Sequence, residues 1–277
     1  MIYALLSILV VALSCLAMRS KKKSLKNLKV LVAGGTKGLG AALVHQLCDR
    51  MHSVTLLDVL KPSEAVYLKE FIEVDLGCER SCKKAFANFE NDSFDAVVYC
   101  AGVFQMNSVL DCSETEINRV WQTNYFGALR VAKKFRAGKI FFVSSEGAIL
   151  TPTAYTYPYI SSKRALEDLA QMIRVERPRM KVTIVRPGAM RTDMLSQLYE
   201  LGDDRDEVVG VRRMAGWFAK YWNSDPDDVA DRIVNAIESC DPPEVLNIGH
   251  NPLLRAASIF PRKIVHVLQS VALRLFI

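Results

Sequence analysis

The chain has 277 residues, half of them apolar, with 36 Lys and Arg against 30 Asp and Glu. That balance excludes a disordered tail protein, a collagen-like repeat and a disulfide scaffold, and leaves room for one large α/β domain or two small ones. The basic excess sits at the two ends, since residues 1–29 and 251–277 hold no acid at all, so the middle is slightly acidic; a nucleic-acid-binding domain would carry its basic face on the fold itself, and nucleic acid is therefore not the expected partner.

Ile2 to Met18 carries no charge and runs straight into Arg19-Ser-Lys-Lys-Lys23. As a helix it would reach roughly 26 Å, enough for a thin bilayer. A cleaved signal peptide usually opens on a charged segment, and here only the amino terminus supplies charge. A buried helix would not normally be so uniformly apolar at the extreme terminus. The expectation is a transmembrane anchor over 1–18 and a basic juxtamembrane linker over 19–28. The Lys cluster would keep the rest of the chain on the cytosolic side. In a eukaryotic cell the membrane expected is the endoplasmic reticulum.

From Lys29 onward, short β-rich runs alternate with helical patterns. Strands are predicted at 30–33, 54–58, 71–74, 95–99, 139–144, 181–186 and 245–248. Helices are predicted at about 38–50, 79–89, 114–134, 158–176 and 226–239. The gap between Asp58 and Phe71 is short, so a crossover helix there is stunted or absent. Continuously apolar strands alternating with helices imply an α/β fold: a Rossmann-like, doubly wound parallel sheet forming a single domain over 29–250.

Beyond it, Lys263, His266, Ser270 and Arg274 make a narrow polar stripe on an otherwise apolar helical pattern in 251–277. Such a helix suits a membrane interface, with 259–277 as the contact, or packing on the core or a second subunit. The seven cysteines have one close pair, Cys78 and Cys82, with no histidine nearby. Zinc sites want repeated pairs, so reduced thiols and no metal are expected. His45, His52, His250 and His266 are scattered and form no ligand spacing.

The first predicted strand leads into Gly34-Gly-Thr36-Lys37-Gly38-Leu39-Gly40, which opens the first helix. A glycine turn between strand and helix lets backbone approach a pyrophosphate and aims helix N–H groups at it. The spacing is G-x-x-x-G-x-G, not the usual G-x-G-x-x-G of dinucleotide sites. Asp58 ends the second strand, where a carboxylate can accept from ribose hydroxyls and repel a 2′-phosphate. That favours NAD(H). Lys37 pulls toward NADP(H), because a basic residue in the turn can pair with a 2′-phosphate. Asp75 and Leu76, after the third strand, are candidates for the adenine edge, with a helix N-cap as the other reading of Asp75.

Tyr159-Ile-Ser-Ser-Lys163 opens a helix, and the i, i+4 spacing puts phenol and ammonium on one face. A phenol ordinarily titrates near 10 and is a poor acid or base at neutral pH. A nearby cation and an oxidised nicotinamide would lower it. Ser144-Ser145 ends the fifth strand, at the sheet edge where ligands bind in open α/β folds.

Together these motifs resemble the short-chain dehydrogenase/reductase family over about residues 28–250. The likeness rests on Ala33-Gly34-Gly-Thr-Lys-Gly38-Leu-Gly40, Cys100-Ala101-Gly102, Asn124 in Thr-Asn-Tyr-Phe-Gly127, Ser145, Tyr159 with Lys163, and Arg186-Pro187-Gly188 with Thr192. The resemblance implies that Tyr159 is the general acid in reduction and the base in oxidation. It implies that Lys163 binds the nicotinamide ribose and lowers the Tyr159 pKa, that Ser145 bonds the substrate oxygen, and that Asn124 holds a water in a proton relay. Pro187, Gly188 and Thr192 would hold the nicotinamide end, and Ala101 and Gly102 would lie along the cofactor. The family often dimerises through the tyrosine-bearing helix and the one before it. Two departures stand out. The family's Thr before the first glycine is Ala33 here, and its Asn-Asn-Ala-Gly reads Tyr99-Cys-Ala-Gly102, which removes two polar groups behind the cofactor.

The segment 192–225 falls where the family places a substrate lid and is rich in apolar residues, among them Met194, Leu198, Trp217 and Trp222. With the expected anchor, the implied function is interconversion of a ketone and a secondary alcohol on a lipophilic substrate of steroid, retinoid, 3-ketosphinganine or ketoacyl type. Two other classes stay open: a catalytically idle dinucleotide-binding module serving a membrane partner, and a membrane tether or scaffold whose fold is incidental.

Overall fold

The computed structural model describes residues 24–249, apart from 63–65, 88, 90–92, 151–153, 193 and most of 195–222, together with Pro261, Lys263, Ile264, Val265, Val267 and Val271. The expected anchor, most of the lid and most of the C-terminal helix lie outside these residues. Among those described, no helix is long and apolar enough to cross a membrane.

The described strands are β1 (Lys29–Ala33), β2 (Ser53–Asp58), β3 (Glu70–Glu73), β4 (Ser93–Tyr99), β5 (Arg136–Val143), β6 (Lys181–Pro187) and β7 (Val245–Ile248). They form one sheet in the order β3-β2-β1-β4-β5-β6-β7. Every pairing is parallel. The order reverses at β1, whose neighbours are β2 and β4. In open parallel sheets a crevice forms at such a reversal, outside the carboxyl ends of the strands.

The helices are α1 (Gly38–Asp49), α2 (Glu79–Phe86), α3 (Glu114–Trp121), α4 (Ala128–Lys134), α5 (Tyr159–Glu176) and α6 (Pro226–Glu238). Side-chain alternation along the strands divides the core into two layers. Val30, Val32 and Val98 face one way and pack with Leu43 and Leu47 of α1 and Ile233 and Ile237 of α6. Leu31, Val97 and Tyr99 face the other way and pack with Val131 of α4 and Leu166 and Ala170 of α5. Both faces of the sheet are thus covered, which is why its strands read as unbroken apolar runs.

The single helix expected over 114–134 is instead α3 and α4 joined by a π-helical segment, Gln122–Gly127. The wider turn frees backbone carbonyls, and side chains from elsewhere take them up. Arg130 donates to the Gln122 carbonyl at 3.3 Å, and Tyr99 Oη donates to the Thr123 carbonyl at 2.5 Å. Gly127 makes room for the phenol, since a Cβ there would stand 2.3 Å from Tyr99 Oη. Tyr99 is distant in sequence, so helical periodicity alone does not reveal the segment.

Candidate functional site

The crevice is a cavity of about 370 Å³. Its floor is the glycine turn. Gly34 has φ +84°, and a Cβ on it would lie 2.4 Å from the backbone of Ala101. Only glycine lets β1 turn this tightly against the end of β4. The first turn of α1 follows with no side-chain cap and no acidic residue. Its N–H groups are left to a ligand, and a diphosphate is the natural partner for them.

Asp58 organises the turn as well as facing the cavity. Its Oδ2 accepts from the Gly35 and Thr36 N–H groups at 2.9 and 3.0 Å, and its Oδ1 accepts from Leu60 N–H at 3.2 Å. Two turn amides are therefore spent on Asp58. Oδ1 keeps one acceptor direction, which a ribose hydroxyl can use. Lys37 and Asp75 also line the cavity, while the residues after Asp58 that line it, Val59 and Leu60, are apolar.

Asp75 and Leu76 also line the cavity. Asp75 does not cap a helix: α2 begins after Cys78, and Asp75 Oδ1 instead accepts from Gly77 N–H at 2.9 Å.

At the other end α5 presents Tyr159 and Lys163. Lys163 is 3% exposed, and its Nζ donates to the Val143 carbonyl at 2.8 Å. That ammonium lies 5.7 Å from the centre of the Tyr159 ring. Burial pushes the Lys163 pKa down to about 8. Burial pushes the Tyr159 phenol up to about 12, opposed by a hydrogen bond with Ser145. Ser145 Oγ also accepts from Gly147 N–H at 3.2 Å, which fixes the turn after β5. The phenol thus leans on Ser145 for stabilisation of its ionised form, and burial outweighs that help.

Asn124 sits in the π-helical segment and is fully buried. Its Oδ1 accepts from Val103 N–H at 2.8 Å, and its Nδ2 donates to the Val103 carbonyl and to Ser162 Oγ, both at 3.0 Å. Ser162 Oγ in turn donates to the Tyr159 carbonyl at 2.7 Å. The Asn124 side chain therefore clamps the loop that follows Gly102 to the first turn of α5, and its amide is committed to protein partners.

Most of the expected residues meet in this one cavity: Gly34, Thr36, Lys37, Gly38, Leu39, Gly40, Asp58, Asp75, Leu76, Ala101, Gly102, Tyr159, Lys163, Pro187 and Thr192. Asn124, Ser145 and Gly188 are not among the lining residues, though Ser145 hydrogen-bonds with the Tyr159 side chain that is. Gly188 packs on the far side, where a Cβ would lie 2.0 Å from the Gly249 carbonyl oxygen. Sequence reasoning missed Cys100, Val103, Thr123, Met190 and Phe104. The first four line the cavity, and the Phe104 ring lies 4.7 Å from that of Tyr159. Apolar residues on loops carry no pattern that would single them out, and Thr123 reads as one more position of a helix. Of the lid residues, Met194 is described and reaches the cavity; Leu198, Trp217 and Trp222 lie outside the described residues. No group of His, Cys, Asp or Glu suited to a metal occurs among the described residues.

Comparison with known proteins agrees with this geometry. The family described as short chain dehydrogenase matches residues 28–201. An uncharacterized oxidoreductase of Schizosaccharomyces pombe is 25% identical, over 81% of this chain and 82% of its own. A 3-ketodihydrosphingosine reductase of Dictyostelium discoideum is 27% identical, over 87% of this chain and 81% of its own. A crystal structure of a short chain dehydrogenase from Burkholderia cenocepacia, in complex with NADP, superposes with TM-score 0.63 at 22% identity, over 81% of this chain and 97% of its own.

Proposed function

The chain belongs to the short-chain dehydrogenase/reductase family and is an oxidoreductase acting with NAD(P); on that premise we propose that it interconverts a ketone and a secondary alcohol on a lipophilic substrate, with NAD(H) as the favoured cofactor. The observation that carries the reading is the cavity itself, with Tyr159 and Lys163 at one end and Asp58 at the other. The uncapped start of α1 and the close approach of Gly34 to Ala101 fit a dinucleotide lying between them. When bound, the cofactor supplies or accepts the hydride at the substrate carbon.

The chain's own residues manage the proton. In reduction the Tyr159 phenol gives its proton to the carbonyl oxygen, and in oxidation the phenolate takes one from the alcohol. Ser145 holds that oxygen and stabilises the phenolate. Lys163, fixed by the Val143 carbonyl, serves the ribose and the local field. Asn124 acts through Val103 and Ser162, which set the position of Tyr159.

The support for NAD(H) is the Asp58 carboxylate at the end of β2, which lines the cavity and would repel a 2′-phosphate brought beside it. Lys37 opposes this with one flexible charge. The lipophilic substrate is supported by the apolar lining residues Val103, Met190 and Met194, by the Phe104 ring beside Tyr159, and by the resemblance to a 3-ketodihydrosphingosine reductase. The proposed site of action is a membrane facing the cytosol. The support is the apolar run 2–18 with its following Lys cluster. At the other end, Ile264, Val267 and Val271 are 46%, 62% and 51% exposed along one helix face.

Titration of the protein with NADH and with NADPH tests the cofactor, and turnover of long-chain keto and hydroxy lipids tests the substrate. Tighter NADH together with turnover that Tyr159→Phe abolishes is the expected result. Tighter NADPH would overturn the cofactor preference, and turnover restricted to small polar alcohols would overturn the substrate class.

A further inference from the structure

Three elements supply the walls at the Tyr159 end of the cavity: α5 carries Tyr159 and Lys163, the end of β5 leads through Val143 into Ser144, and the end of β6 carries Pro187. One partly buried side chain outside the reacting set ties all three together. Glu167 lies on α5 one turn beyond Lys163. Its Oε1 accepts from Ser144 Oγ at 2.8 Å and from Arg186 Nε at 2.8 Å, and its Oε2 accepts from Arg186 Nη2 at 2.6 Å. Ser144 directly precedes Ser145 and is 2% exposed. Arg186 directly precedes Pro187. The carboxylate and guanidinium are 12% and 17% exposed.

We propose that Glu167 is a positioning residue: through Ser144 and the Arg186 fork, its carboxylate locks the ends of β5 and β6 to α5 and so fixes the wall that the nicotinamide half of the cofactor meets. The inference rests on the reading that this half faces Tyr159 and Lys163.

Stability alone is a poor reason for such a group. Desolvating a carboxylate and a guanidinium cancels much of their attraction, and apolar side chains of similar size often hold a core as well. A two-point fork does what apolar contact does not: it fixes orientation as well as distance. Ser144 N–H adds a third tie, donating to the Val185 carbonyl at 2.7 Å. Lys163 is held to the same corner by the Val143 carbonyl. The peptides on both sides of the knot therefore move only if the knot yields.

The test compares NADH with ADP-ribose, which lacks the nicotinamide, as ligands for the wild-type protein and for Glu167→Gln and Arg186→Lys. Glutamine keeps an oxygen for Ser144 but presents an amide to Arg186, and lysine keeps the charge but not the fork. In both variants NADH affinity is expected to fall about tenfold while ADP-ribose affinity stays within about twofold. The double variant should be no worse than either single one, because both break the same knot. Equal weakening of the two ligands, or a lower melting temperature with neither affinity changed, would reduce Glu167 to a structural role. If both variants fail to fold, Ser144→Ala removes only the hydroxyl leg and should give the same split at a smaller factor; no split there overturns the proposal. No substrate enters the measurement, so a wrong substrate class leaves its result standing. Equal wild-type affinity for NADH and ADP-ribose would overturn the placement of the nicotinamide, and the positioning role with it. A wild-type preference for NADH that survives the substitutions overturns the positioning role alone.

Discussion

The Lys163 ammonium stands 5.7 Å from the centre of the Tyr159 ring yet gives its short hydrogen bond to the Val143 carbonyl at 2.8 Å. Both groups are shifted by burial, and in both cases burial favours the neutral form. The Tyr159 phenol is pushed up to about 12, and the Lys163 ammonium down to about 8 from an ordinary 10.5.

These shifts give stability a pH dependence of defined sign. Between about pH 8 and 10.5 the folded state binds fewer protons at Lys163 than the unfolded state does, so this residue's contribution to stability rises with pH across that window. Tyr159 works the other way. Its folded pKa lies above the ordinary 10.0, so its contribution falls as pH climbs from 10 toward 12. Denaturant melts of wild type and Lys163→Met from pH 7 to 10 check the first point. The wild type should gain stability relative to the variant by up to about 1.4 kcal/mol per pH unit inside the window and not below it. A constant difference would mean that Lys163 is not depressed.

Ultraviolet titration of the phenol follows Tyr159 directly, read as wild type minus Tyr159→Phe. Without nucleotide the difference signal should appear only near pH 12. With saturating NAD⁺ it should move to lower pH, because a positive ring nearby favours the phenolate. Ser145→Ala should move the signal up, since it removes the hydrogen bond that supports the ionised form. A signal already at pH 8 in the nucleotide-free protein contradicts the burial argument.

Asp58 has two duties, and substitution separates them. Asp58→Ala leaves the Gly35 and Thr36 N–H groups without their acceptor and is expected to cost about 1 kcal/mol of stability, the low end for lost partners because water can reach the cavity. It also removes the charge that a 2′-phosphate would meet. NADPH should therefore gain on NADH by about tenfold or more in relative affinity. Adding Lys37→Ala should take back part of that gain. Unchanged selectivity in the single variant would show that the carboxylate does not read the ribose.

Gly34→Ala meets two obstacles. The residue has φ +84°, and its new methyl would press on the Ala101 backbone at 2.4 Å. Backbone strain alone costs roughly 1–2 kcal/mol, and the contact adds to it. The turn must open, which widens the gap between the N–H groups of α1 and the wall at Ala101. Dinucleotide binding measured by calorimetry should fall by at least about tenfold, even where the protein remains folded. Retained affinity would mean that the turn does not approach the ligand closely.

Much of this architecture is legible in the sequence because it is local. Apolar runs at 30–33, 54–58 and 95–99 mark buried strands, and the glycines and Tyr159 with Lys163 mark the site by spacing. What is illegible depends on partners distant in the chain. The π-helical segment at Gln122–Gly127 needs Tyr99, from the end of β4, to take a freed carbonyl. Asp58 as the anchor of the glycine turn needs β2 beside β1. The Glu167 knot joins residues 144, 167 and 186, which no periodicity connects. Gly188 reads as part of the cofactor wall from its motif, but it turns onto Gly249 because β7 lies next to β6.

Tyr99 departs from the family's asparagine at this position, a change that removes a polar group from behind the cofactor. Its own hydroxyl supplies another, reaching the Thr123 carbonyl within the π-helical segment. Thr123 lines the cavity, and its neighbour Asn124 ties Val103 to Ser162. The phenol is fully buried, so its loss cannot be repaired by water. Tyr99→Phe keeps the ring that packs in the core and strands one carbonyl, a cost of about 1–2 kcal/mol. For a domain of this size that is a fall of roughly 2–8 °C in melting temperature. If the segment relaxes to an ordinary helical turn, Asn124 shifts and turnover falls more than NADH affinity does. A variant with wild-type melting and wild-type turnover would mean that the hydroxyl contributes nothing to holding this turn.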